Sequence, residues 1–130
     1  MREIKYKAKN KTLGWKFGTV FYTSNDNMWE LVDDNSVFYE VEKETICQFT
    51  GLHDKNGKEI YENDIVKKET FYDKPPTYRK ETFAKVKWIE KFACFFLVDN
   101  DDKIFWELAD DRRNIEVVGN KFDNSELLKK

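Results

Sequence analysis

A single histidine, His53, stands beside Asp54 in a chain of 130 residues, so any histidine-based acid–base or triad chemistry must centre on that pair. No nucleophile is marked for it, because no Gly-x-Ser-x-Gly elbow occurs. Cys47 and Cys94 with His53 fall one ligand short of a structural zinc site unless a carboxylate joins them. Lying far apart among apolar residues, the cysteines read as buried free thiols of a reducing cytoplasm. Carboxylates gather at Asp99, Asp101 and Asp102 and again at Asp110 and Asp111, the ligand type of a hard cation. Lys103 interrupts the calcium-loop pattern and its glycine is missing, so charged hairpin tips are expected instead. The five glycines are scattered singly at Gly14, Gly18, Gly51, Gly57 and Gly119, which excludes a P-loop or a Rossmann turn. No catalytic residue, cofactor or metal site is assigned.

Binding chemistry is better represented. Between Lys67 and Lys91 eight bases face four acids, with Phe71, Tyr72 and Tyr78 among them. A small barrel can stack bases of a single strand on aromatics beside a basic groove, which makes Lys67, Lys68, Tyr72, Tyr78, Arg79 and Lys80 the candidate binding surface. Against nucleic acid stand the interspersed acids and a formal chain charge of -2, so the lysines also read as the solvated outer faces of strands. The acidic counterpart runs from Asp26 to Glu44, where seven carboxylates meet only Lys43. Opposite patches permit self-association, and Trp15 and Phe17 could serve such an interface, although burial within the monomer is expected. An unidentified protein partner is the first expectation, a homo-oligomer is possible, nucleic acid is disfavoured, and no membrane is involved.

These groups must be positioned by strands. Hydrophobic residues make up 40% of the chain and charged residues 37%, which gives material for a core beneath a charged surface. Ile4, Tyr6 and Ala8 alternate with charges and continue no apolar leader, and no run of about 18 apolar residues occurs. Trp29 and Leu31 repeat the alternation, and Val20–Tyr22 and Val37–Val41 are β-branched or aromatic runs parted by turns at Thr23–Asn27 and Asp33–Ser36. After residue 60 come Asp64–Lys68, then Ala84, Val86 and Trp88, then the apolar run Phe92–Val98, expected as a strand buried on both faces. Asp99–Asp102 turns it into Ile104, Trp106 and Leu108, and Ile115–Val118 closes the series. A long loop, Glu69 to Thr82 with Pro75-Pro76, separates the first two. The expected fold is mainly β, with a β-rich α+β fold as the alternative. One domain spans 1–130, with an N-terminal β part over about 1–48, an SH3-like small barrel over 49–120 and a tail over 121–130 whose Ser125 starts a short helical turn. Trp88, Phe96, Trp106 and Val117 are expected to share its core.

The stretch Thr50-Gly51-Leu52-His53-Asp54-Lys55-Asn56-Gly57-Lys58-Glu59-Ile60-Tyr61-Glu62-Asn63-Asp64-Ile65-Val66 resembles the central signature of the YopX family of bacteriophage and prophage proteins, T-G-L-x-D-x-N-G-K-x-I-Y-E-G-D-I-V. Weaker similarities at Arg2–Lys5, Trp15–Gly18, Thr45–Gln48, Val118–Asn120 and Glu126–Leu128 follow in order along nearly the whole chain. The resemblance implies a small phage or prophage protein in the bacterial cytoplasm and assigns no activity. Asn63 replaces the family's glycine, and asparagine tolerates the same left-handed backbone. Thr50, Gly51, Asp54, Asn56, Gly57 and Asp64 have a sufficient structural explanation, with Asn56-Gly57 expected in a type I′ hairpin turn.

Overall fold

The computed structural model describes residues 4–72 and 78–129, with backbone alone at 70–72, 78, 79, 110 and 111. The chain is mainly β, divided into two compact units, 1–51 and 52–130. In the first, β1 (Tyr6–Asn10), β2 (Gly14–Thr23), β3 (Met28–Val32), β4 (Phe38–Val41) and β5 (Cys47–His53, which runs on into the second unit) form one antiparallel sheet in the order β4-β3-β2-β1-β5. The expected alternation holds where it matters: Ala8, Leu31 and Val41 are buried together, with Val20, Trp29, Tyr39 and Ile46 packed around them. The ten-residue β2 serves two ladders, pairing with β1 through Gly18 and with β3 from Thr19. A side chain at Gly18 would collide with the Val32 carbonyl, so this crossover needs glycine.

The second unit holds β6 (Glu59–Tyr61), β7 (Asp64–Tyr72), β8 (Tyr78–Ile89), β9 (Cys94–Val98), β10 (Ile104–Glu107) and β11 (Ile115–Asn120). Its five-stranded antiparallel sheet runs β10-β9-β8-β7-β11, a meander whose last strand returns to pair with its first. The sheet is not closed: β10 and β11 stand at opposite ends of that order. Ile60, Val66, Ala84, Val86, Leu97, Leu108 and Ile115 are almost wholly buried in its core, and Val117 and Phe95 complete it. One turn of α-helix, α1 (Leu108–Asp111), and a 3-10 turn at Arg112–Asn114 lead into β11. A 3-10 turn at Ser125–Lys129 forms where the C-terminal helical turn is expected.

Several expectations change. The long loop from Glu69 to Thr82 is mostly ladder: β7 and β8 stay paired out to Tyr72 and Tyr78, beyond the last partners that β9 and β11 supply, and Pro75-Pro76 lies outside the described residues. The run from Phe92 is not one strand, because a 3-10 turn, Glu90–Phe92, and left-handed Ala93 (φ 50) precede β9. Leu108 likewise begins α1 instead of ending a strand, and it is fully buried there. Within β9, Phe95 and not Phe96 takes the core position, since Phe96 pairs opposite Lys87 and Phe95 opposite Trp88. Trp88 reaches the rim of the core face and stays 40% exposed, its ring edge-on to Phe95 at 5.0 Å. Trp106 packs against the core as expected. Lys7, one of the charges that alternate with Ile4, Tyr6 and Ala8, is itself buried, with its ammonium 4.9 Å from the Trp15 ring. Phe17 is 49% exposed instead of buried.

Candidate functional site

Three turns share one hydrogen-bond circuit. At Asp33, Asp54 and Asp99 the aspartate N–H donates to the carbonyl four residues on, and its own carbonyl accepts from the residue three on. Its carboxylate Oδ1 accepts the N–H groups two and four residues on, at 2.8 to 3.0 Å. The fourth residue of each turn is left-handed: Ser36 (φ 63), Gly57 (φ 81) and Asp102 (φ 62). Positive φ falls on Gly57 alone and not on Asn56, so the expected type I′ turn is corrected to a type I turn closed by a left-handed residue.

The signature turn carries one further bond. The second oxygen of Asp54 accepts the Val117 N–H at 2.8 Å, and the Lys55 N–H donates to the Ile115 carbonyl, so the hairpin tip is fastened to β11. Burial raises the Asp54 pKa, but the N–H groups of Val117, Lys58 and Asn56 outweigh it and hold the carboxyl below its ordinary value. Asp64, also buried, accepts the Tyr61 N–H at 2.8 Å. Asn63 adopts φ 70, donates to the Val86 carbonyl and accepts from Lys121 N–H. Thr50 is buried, and Gly51 (φ 86) has open space where a side chain would stand, so only its conformation calls for glycine. His53 is exposed.

Of the basic candidates, Lys67 and Lys68 do not share a face: they are consecutive on β7, with Lys68 opposite Thr82 and hence on the face of Lys80. Lys67 lies 3.8 Å from Glu69, and the Lys68 ammonium sits 4.0 Å from the Trp106 ring centre. Tyr72 pairs opposite Tyr78 and Phe71 opposite Arg79, while the side chains of Tyr72, Tyr78 and Arg79 lie outside the described residues. Lys85 and Lys87 both reach Asp102 at 3.0 Å, and hydrogen bonds from Lys87 and then Lys85 lower the Asp102 pKa. Of the carboxylates considered for a cation, Asp99 is spent on its own turn and Asp102 on these lysines; the side chains of Asp110 and Asp111 lie outside the described residues. Among the described residues no three His, Cys, Asp or Glu side chains could hold a metal ion.

A surface that sequence reasoning passed over lies on the first sheet. Phe17 and Phe21 on β2 share a face with Phe38 on β4, the rings of Phe21 and Phe38 meeting edge-on at 5.8 Å. Phe38 is 59% exposed, more than any other described aromatic. Alternation over Phe17-Gly18-Thr19-Val20-Phe21 carried the signal, but apolar residues on both faces of β2 left its inward side undecided. Among the described residues no helix is long and apolar enough to cross a membrane.

Compared with known proteins, a family model described as YopX protein matches residues 4–129. No curated protein matches the chain.

Proposed function

The chain belongs to the YopX family, and from that premise we propose that it is a non-catalytic module that binds a phage or host protein in the bacterial cytoplasm. The carrying observation is the aromatic face of β2 and β4, where half-buried Phe21 meets exposed Phe38 and Phe17 is exposed on the same face of β2, since apolar side chains left in water are the usual mark of a protein interface. The residues best suited to chemistry, Asp54 and Asp64, are consumed in holding turns, which supports binding over catalysis. An SH3-like reading of the second unit is supported by a four-strand meander, a 3-10 turn just before the last strand, and the return of that strand to the first. The single-stranded nucleic-acid alternative is weakened because Lys67, Lys85 and Lys87 already have carboxylate partners that a phosphate would have to displace. Two positions carrying a photo-crosslinker separate the readings in the host cytoplasm: Phe38 should capture protein, and Lys80 should capture neither protein nor nucleic acid. Nucleic acid at Lys80 with nothing at Phe38 would reverse the assignment.

A further inference from the structure

Two glutamates sit side by side on the aromatic face. Phe21 pairs opposite Glu30, and Glu30 opposite Glu40, so all three form one row across β2, β3 and β4. The Asp33 N–H bonds to the Val37 carbonyl, and alternation from that bonded pair makes Val32–Phe38 and Glu30–Glu40 the non-bonded pairs, where facing side chains come closest. Like charges directly opposite in a sheet are destabilising. No cation of this chain pairs with either glutamate among the described residues; Glu30 has the Thr23 hydroxyl at 2.9 Å, which fixes it in place without neutralising it.

We infer that this face docks an extended segment of a partner protein that carries Lys or Arg between apolar side chains. The inference rests on the protein-binding reading above and names the chemistry of the partner. Charge complementarity decides it: two adjacent carboxylates, with the exposed ring of Phe38 two residues from Glu40 on the same face, offer an ammonium or guanidinium both its counter-charge and an aromatic surface. The same carboxylates repel a phosphate backbone. The partner lies on the face and not along the edge of β4, because that edge is capped where Glu42 N–H donates to the Lys9 carbonyl and Asn10 Nδ2 to the Glu40 carbonyl. The acidic stretch from Asp26 to Glu44, expected as a counter-patch for self-association, thus contains a geometrically defined pair.

The test uses two synthetic peptides, one alternating Lys with Leu and the other Glu with Leu, titrated into the full chain while backbone amide shifts of β3 and β4 are followed by NMR. The Lys peptide is expected to bind roughly tenfold or more tighter than the Glu peptide, with an affinity that falls as salt rises. The double variant Glu30→Gln, Glu40→Gln should lose that preference while melting no earlier than the wild type, since it removes a repulsion. Phe38→Ser should weaken both peptides. Equal binding of the two peptides that still depends on Phe38 overturns the cationic partner and leaves the protein-binding reading standing. Absence of binding by either peptide, with Phe38→Ser indistinguishable from wild type, removes both. A Phe38-dependent dimer in sedimentation would make a second copy the occupant and overturn the inference.

Discussion

The Asp33, Asp54 and Asp99 turns share a circuit but not a consequence. Asp54→Asn keeps an Oδ1 for its own turn and turns an NH2 toward the Val117 N–H, so two donors face each other in a buried place. Chemical denaturation should show a loss of about 1–3 kcal/mol. Asp99→Asn, whose second oxygen does not reach another strand among the described contacts, should stay within about 0.5 kcal/mol. The pH dependence has a definite sign. Asp54 and Asp102 have folded pKa values below their unfolded ones, so the stability they contribute is complete above the unfolded value of about 3.9 and is lost as pH falls toward the folded values. Unfolding free energies at pH 7 and pH 3 should therefore differ less in Asp54→Asn than in the wild type. Gly57→Val should cost about 1–3 kcal/mol for its left-handed backbone, and Gly57→Asn clearly less; equal melting temperatures would remove the turn assignment.

At the scale of elements, the outer part of the β7–β8 hairpin is a two-stranded ladder with no third strand beside it among the described residues, a form that is marginal in water. Amides of Glu69–Tyr72 and Tyr78–Thr82 should exchange with solvent about tenfold or more faster than those of Val66 and Val86, as hydrogen-exchange NMR can measure. The sequence shows strands well where alternation is clean, as at Ala8, Leu31, Ala84 and Val86. It fails in Phe92–Val98, because a run that is apolar at every position carries no phase, and choosing Phe96 over Phe95 has no local basis. The bulge between Ile104 and Trp106 shifts register again, and left-handed Ala93 has no residue-type signal at all. The signature turn is the most legible feature, through Asp54, Asn63 and Gly57, yet its bond to Val117 joins residues 63 positions apart and leaves no local trace. The Glu30–Glu40 pair escapes for a similar reason, since register sets it and not spacing.

For the molecule as a whole, the two cores differ in depth. Among the described residues three buried side chains form the first and nine the second, so Leu97→Ala should fall toward the upper end of the 2–5 kcal/mol expected for truncating a core leucine, and Leu31→Ala toward the lower. Urea unfolding of the two variants checks the ordering. The return of β11 to β7 also sets a schedule during synthesis. Lys68 pairs with Ile115, and at roughly 5–20 residues per second the ribosome needs on the order of seconds to deliver that partner. Throughout that interval one edge of β7 is open, with Ile65 and Val66 beside it, an invitation to pair with a neighbouring nascent chain. Lys67 and Lys68 stand on that edge, and charge there discourages such pairing, so replacing both with valine should lower the soluble yield from cells far more than it lowers the melting temperature of whatever protein is recovered.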